Sequence, residues 1–303
     1  QPIPEKIKNM VMHAVEHDAK IIAKKTRLIF SAIDAEKEFI QHIEEMYATL
    51  GLPVVSNNSA HRWTKDIPMI MPEINPEHLN MIDIQRKNRG WTSGLIITKP
   101  NCSIQCYVPV LHAWNAFEPK KVIVSTYQAI SGAGKTFRTW PEMVDNVIPY
   151  IGGEEEKSET EPSKIWATIK NNRFHYTRTP KISASCIRVP VTDGHMATMN
   201  IQFAKKVTKE KLIETIKNFK NPLDQLHLPS APKPFLIYFE EENRPQTRLD
   251  RDLGHGMGIS IGRLREDPIL GWKCVTLAHN TLRGAAKGSI LNAELLFKKG
   301  YIK

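Results

Sequence analysis

The sequence predicts an α/β region followed by an α+β region, and three features carry that prediction. Up to about residue 100, strand-like apolar runs alternate with helical ones, the order of a parallel sheet in a nucleotide-binding domain. Beyond that point six strand-like runs are joined by turns as well as helices, which fits a mixed, largely antiparallel sheet with helices on one face. The chain then closes with a helical stretch, 283–299, that Gly300 is placed to terminate.

Residues 27–33 (RLIFSAI) read as a short buried strand. Residues 35–50 follow as an amphipathic helix, with Phe39, Ile43, Met46 and Leu50 on one stripe. Gly51 ends it, and 52–56 (LPVVS) is the next strand. Asn75 can cap a helix that has Pro76 at its first position, and Glu77 suits the positive end. Residues 94–98 (GLIIT) form a third strand, and a helix is expected from Pro100 to about Ala116. The later strands are 121–128, 182–191, 195–203, 234–239, 257–264 and 272–279. Asp193-Gly194 lies between two of them and signals a hairpin.

The 303 residues suit one large domain or two ordinary ones. Lys and Arg number 42 against 32 Asp and Glu, a formal charge of +10. These bases are scattered, and no Lys/Arg block marks a nucleic-acid arm, so a small anionic substrate is the better use for a few of them. No apolar run approaches the roughly 20 residues of a membrane span, and no secretion signal opens the chain. The first residue is Gln1, so the chain is expected to start inside a longer sequence or to have been processed. The four cysteines, 102, 106, 186 and 274, include no C-x-x-C pair. A disulfide framework and a metal site are therefore not expected, and reduced thiols in the cytoplasm are.

One cysteine stands apart. Pro100-Asn101-Cys102-Ser103 follows the strand GLIIT and opens the expected helix. Unpaired N–H groups and the helix dipole would favour a thiolate there and lower its pKa, and the same N–H groups could hold an oxyanion. Taken alone, the segment leans to the commonest fate of a free cysteine, a small buried hydrophobe. A thiolate also needs a proton partner, and there are 11 histidines to choose from. His195 follows Thr192-Asp193-Gly194; across a two-residue turn it would face Thr192, with Arg188 on the same hairpin. An exposed turn histidine is the plain alternative.

Taken in order, several segments resemble aspartate-semialdehyde dehydrogenases, most of all the shorter archaeal and fungal branch. They are NSAHRWTKDIPMIMPEIN (58–75), PNCS (100–103), YQAISGAG (127–134), DNVIPYIGGEEEK (145–157), ISASCIRVPVTDGH (182–195), NRPQTRLDR (243–251) and HNTLRGAA (279–286). Each is weak alone, and their shared order is specific. The resemblance implies an incomplete Rossmann-type NADP-binding domain over 1–101. It implies a glyceraldehyde-phosphate-dehydrogenase-like mixed-sheet catalytic and dimerisation domain over 102–282, and a returning helix over 283–303. It further implies reversible reductive dephosphorylation of aspartyl phosphate to aspartate semialdehyde with NADPH, through a cysteine thioester, for lysine, threonine and methionine biosynthesis in a homodimer or homotetramer.

The same resemblance assigns roles. Cys102 would be the nucleophile, His195 the general acid/base, and Gln128 the residue orienting substrate. Arg188 would bind the α-carboxylate through a planar fork, Glu154 the α-ammonium, and Arg62 and Lys157 the phosphate, with Asn101 beside them. Ser131, Gly132, Gly134, Asn280 and Ser31 would contact the cofactor. Without that context Glu154 and Lys157 are an i,i+3 surface pair, Arg62 a surface ion pair and Asn280 a capping residue. A P-loop reading of SGAGKT fails because position 129 is Ala129. The family's opening strand, G-x-x-G-x-x-G turn and helix have no counterpart in the sequence, so weak NADPH binding and exposed apolar surface beside the first strand are expected. Lys135, Arg138 and Trp140 depart from the pattern on the cofactor side. A related acyl-phosphate reductase and a non-catalytic assembly protein are the alternatives.

Overall fold

The computed structural model describes residues 4–302; residues 1–3 and 303, the outer ends of the first and last segments, lie outside it. Three strands, β1 (Ile29–Ser31), β2 (Pro53–Ser56) and β3 (Leu95–Thr98), form a parallel sheet in that order. All four residues of β2 and of β3 are buried, as expected of strands covered on both faces. The helix Lys37–Thr49 makes the crossover from β1 to β2. Its buried row is Ile40, Ile43, Tyr47 and Ala48, whereas Phe39 and Leu50 of the expected stripe are 38% and 36% exposed. The face turned to the sheet is thus rotated, and it carries the buried Glu44, which accepts from Ser56 Oγ at 2.6 Å. Beside β1, Val15, Ile21 and Phe30 are exposed, and a groove of about 170 Å³ runs between Val15, Ile29, Phe30 and Tyr47.

Asn75 does not cap the segment after it. Its Oδ1 accepts from Met71 N at 2.8 Å and its Nδ2 donates to Met69 O and Ile165 O, so it pins a loop. Pro76 does sit at the first position, of the 3₁₀ turn Pro76–Asn80. The long helix expected after Pro100 is also broken. It becomes a 3₁₀ turn, Ser103–Cys106, then a short helix, Val108–Ala113, then another 3₁₀ turn, Asn115–Phe117. Pro109 has no N–H to give Gln105 O, and its ring crowds that carbonyl, so the helix must restart there.

The second sheet contains β4 (Pro119–Gln128), β7 (Lys181–Arg188), β8 (His195–Phe203), β9 (Leu236–Tyr238), β10 (Ile259–Asp267) and β11 (Gly271–Ala278). Between β4 and β7, a small hairpin pairs β5 (Thr168–Lys170) with β6 (Arg173–His175). The sheet order is β7-β4-β8-β11-β10-β9, parallel at β4–β7 and β9–β10 and antiparallel elsewhere. The expected hairpin at Asp193-Gly194 does not form. β4 lies between β7 and β8, so the 189–194 segment steps over a strand, and Pro190 cannot extend the ladder of β7. On one face, Val122, Val124, Ala197, Met199 and Ile201 pack with Leu111, Trp114, Leu212 and Ile216 from the helices. The other face alternates to half-buried residues along β8. The closing helix runs over Ala286–Lys298, and Gly300 follows in the left-handed conformation, φ 81°. Among the described residues, no helix is long and apolar enough to cross a membrane.

Candidate active site

Two sheet edges meet at Cys102. In the parallel sheet, Ser31, Ser56 and Thr98 stand in register at the carboxyl ends of the strands, where α/β sheets bind ligands. Cys102 lies four residues beyond Thr98. In the second sheet, β4 runs parallel to β7 and antiparallel to β8, so the ends of β4 and β7 and the start of β8 share one edge. Gln128 therefore pairs with Arg188, and His195 follows beside them. His195 pairs in turn with Ala278, which brings His279 and Asn280 to the same edge. Arg188 and His195 are thus neighbours through an intervening strand rather than through a shared turn.

The sulfur of Cys102 lies 3.5 Å from His195 Nε2. The Ala129 N–H donates to His195 Nδ1 at 3.1 Å, and a backbone N–H can only donate. The neutral ring must then carry its proton on Nε2, directed at sulfur. Arg188 Nη1 donates to the carbonyl of the same Ala129, at 2.7 Å. Gly132 closes over both side chains: a Cβ there would fall 2.8 Å from Arg188 Nη1 and 3.1 Å from His195 Nε2. Glu154 is buried and accepts from Asn101 Nδ2 at 2.9 Å, Lys157 Nζ at 3.0 Å and Gln128 Nε2 at 3.3 Å. It is far more than half of a surface pair.

Arg62 is buried beneath the Pro100-Asn101-Cys102 loop. It donates to Lys99 O, Asn57 O and Glu161 Oε1, at 3.0, 3.1 and 2.8 Å, which leaves its other N–H groups for a ligand. Glu161 Oε2 accepts from Asn101 N at 2.7 Å, and Asn101 Oδ1 accepts from Ser103 N at 2.8 Å, so one network fixes the loop. Asn280 caps no helix: its Nδ2 donates to Ser131 Oγ and its Oδ1 accepts from Gly194 N, both at 2.8 Å. Ser31 lies apart, held by Asn58 Nδ2 at 2.9 Å, and no hydrogen bond among the described residues links it to the Ser131–Gly134 turn. A groove of about 950 Å³ between Phe203, Lys205 and Trp272 opens at the far end of β8 and includes none of these residues.

The thiol is not acidic at rest, contrary to the expectation from a helix N-terminus. Lost solvation and then the Glu154 carboxylate push Cys102 up to about 11, while Lys99, Arg62 and Arg188 pull it down. The four-residue turn after it carries too small a dipole to outweigh burial. Burial and then Arg188 bring His195 down to about 3, so its imidazole is neutral. Sequence reasoning missed four neighbours: Lys99, Glu161, Arg283 and Gly284. A Cβ on Gly284 would lie 2.8 Å from Cys102 Cβ, and Arg283 is ion-paired to Glu73 with both side chains buried. Nothing in their sequence pattern separates these residues from ordinary loop and helix positions.

The edge fits a nicotinamide dinucleotide. Gly132 presents bare backbone over Arg188 and His195, and a Cβ on Gly134, φ 67°, would meet no atom within 4 Å. Among the described residues, no group of three or more His, Cys, Asp or Glu could hold a metal ion.

Comparison with known proteins agrees with this geometry. Residues 1–82 match the family described as semialdehyde dehydrogenase, NAD binding domain, and residues 109–283 match semialdehyde dehydrogenase, dimerisation domain. An aspartate-semialdehyde dehydrogenase of Archaeoglobus fulgidus is 43% identical over 91% of this chain and 78% of its own length. One from Schizosaccharomyces pombe is 39% identical over 90% of this chain and 78% of its own. A crystal structure of the Candida albicans aspartate-semialdehyde dehydrogenase with NADP superposes with a TM-score of 0.87 at 33% identity, covering 99% of this chain and 85% of that one. With a sulfur and an imidazole converging between two such domains, this chain belongs to the aspartate-semialdehyde dehydrogenase family.

Proposed function

We propose that the chain interconverts aspartyl phosphate and aspartate semialdehyde, with NADP as cofactor and Cys102 as nucleophile. The observation that carries this reading is the 3.5 Å approach of Cys102 Sγ to His195 Nε2 beside a buried Arg188 and a buried Glu154. A substrate with a carboxylate, an ammonium and a phosphoryl group needs two kinds of cationic site and one anionic site, and this edge has all of them. Arg188 makes no ion pair among the described residues, so its free N–H groups take the α-carboxylate in a paired contact. Glu154 accepts from the α-ammonium, Gln128 orients the chain between them, and Lys157 and the remaining N–H groups of Arg62 hold phosphate.

In the oxidative direction the Cys102 thiolate attacks the aldehyde carbon, and the carbonyl oxygen becomes an alkoxide. His195, the general acid/base of this reading, donates its Nε2–H to that oxygen as charge develops on it. Bound NADP supplies the hydride acceptor. Collapse of the alkoxide leaves a thioester on Cys102; phosphate attacks its carbonyl, and sulfur departs again as thiolate. Ser131, Gly132, Gly134 and Asn280 shape the nicotinamide side, and Ser31 marks the far end of the cofactor edge.

The division at residues 101 and 282, a homodimer or homotetramer, a cytoplasmic location and the absence of nucleic-acid partners complete the reading. The scattered bases and the alternating face of β8, in a region matching a dimerisation domain, support it. Replacing Cys102 by Ala tests the core of the proposal: phosphate-dependent NADPH formation should vanish, and substantial residual turnover would refute a covalent route.

A further inference from the structure

A thiolate at Cys102 needs a positive charge beside it, and the obvious candidate cannot supply one. His195 already accepts the Ala129 N–H at Nδ1, so an imidazolium would set two donors against each other. The cations around the sulfur can be sorted by what they already face. Arg62 is ion-paired to Glu161, Arg283 to Glu73 and Lys157 to Glu154. Among the described residues, Arg188 and Lys99 make no ion pair, and each is tied instead to a peptide carbonyl. Arg188 is matched by the substrate carboxylate. Lys99 is left.

Lys99 is held in place by the residues that enclose it. It is 3% exposed, and its Nζ donates to Gly284 O at 2.7 Å. Gly284 is the residue pressed on the other side by Cys102, and Gly288 leaves room for the lysine stem: a Cβ there would lie 2.3 Å from Lys99 Cε. The Lys99 ammonium and the Cys102 side chain thus lie against the same glycine, close enough for the two groups to act on each other's charge. We propose that Lys99 is the counter-charge that stabilises the Cys102 thiolate when it forms, a positioning residue that acts through the field at sulfur and touches no substrate. The inference rests on Cys102 being the nucleophile.

The charged groups around the pair agree with this. Lys99 is the largest influence favouring the thiolate, ahead of Arg62 and Arg188, while Glu154 opposes it. Burial, then the Arg283 guanidinium, brings the Lys99 ammonium down to about 7; Arg62 adds to that, and Cys102 and Glu73 resist it. Each member of the pair therefore favours the charged form of the other, against the burial that opposes both.

The test reads the thiolate itself and needs no turnover. Ultraviolet difference absorbance of the full chain is followed across the range of thiol ionisation, with Cys102→Ala identifying the Cys102 signal. Lys99→Met removes the charge; Lys99→Gln removes it but keeps a donor for Gly284 O. Both should move the Cys102 midpoint up by at least about one pH unit, a tenfold loss of thiolate at fixed pH. A Lys99→Gln midpoint equal to that of the parent chain would overturn the proposal, since the contact with Gly284 or nothing at all would then be what matters. If Lys99→Met fails to fold, Lys99→Gln decides alone. Turnover of Cys102→Ala would instead sink the nucleophile assignment, so the two failures are distinct.

Discussion

Replacing Arg188 by Lys separates paired hydrogen bonding from charge. In the parent chain Nη1 is occupied by Ala129 O at 2.7 Å, which fixes the guanidinium plane and leaves its other N–H groups to face the site. A carboxylate can meet two of them in parallel. A lysine keeps the positive charge but offers a single point contact, and its shorter reach sacrifices either the substrate or the Ala129 carbonyl. Losing one charge-assisted hydrogen bond is worth about 1.5–3 kcal/mol, or about 10- to 150-fold in an equilibrium. Steady-state kinetics with semialdehyde varied at saturating NADP and phosphate should show KM raised by about that factor, with the KM for NADP within about twofold. Equal losses for semialdehyde and NADP would mean that Arg188 only braces the Ala129 loop. An unchanged KM for semialdehyde would remove it from the binding site.

Other perturbations have equally definite outcomes. Glu154→Gln should raise the KM for semialdehyde about tenfold or more, because the ammonium loses a charged acceptor; it should also lower the alkylation midpoint of Cys102, since Glu154 holds that thiol up. A variant that moves neither would show Glu154 to be structural only. Lys164→Met should cost about 3–4 kcal/mol, seen as a lower urea midpoint, because it strands the carbonyls of Arg62, Thr64 and Ile67 that Nζ bonds at 2.6, 3.1 and 2.8 Å. His195 sits at about 3 in the folded chain, against about 6.5 unfolded, so between those values the unfolded chain binds the additional proton. Its contribution to stability is full above the unfolded value and shrinks as pH falls toward the folded one, by up to about 1.4 kcal/mol per unit. His195→Asn should flatten that acid slope, although His61, His78, His112 and His279, also lowered, will keep part of it. Identical slopes would contradict a neutral buried His195.

Much of this was legible in the residues, and the misses have physical causes. The runs LPVVS and GLIIT were recognisable because buried parallel strands are apolar throughout, and the strands of the second sheet because one face is covered. Strand order was not legible. Asp193-Gly194 has hairpin chemistry, yet β4 pairs with both flanking strands, and a local turn signal cannot report a long-range insertion. Asn171-Asn172, with φ of 51° and 60°, is where a tight hairpin does form, between β5 and β6. The ordered motifs pointed to Cys102, His195, Arg188, Glu154, Gln128 and Asn101, and the fold brings these six together at one edge. The acidity expected of Cys102 failed because proximity to a helix start was visible and desolvation was not. Lys99 escaped notice for the same reason: a lysine after a strand reads as solvated until Gly284 and Gly288 are seen to enclose it.

The central claim is that this sulfur carries the substrate as a thioester. Semialdehyde should be mixed with the full chain in the absence of phosphate, NADP raised until the NADPH burst no longer grows, and the peptides examined by mass spectrometry. The account requires about one NADPH per active chain and an acyl adduct on the peptide that contains Cys102, discharged when phosphate is added. No burst, or an adduct on Cys106, Cys186 or Cys274 instead, would contradict it.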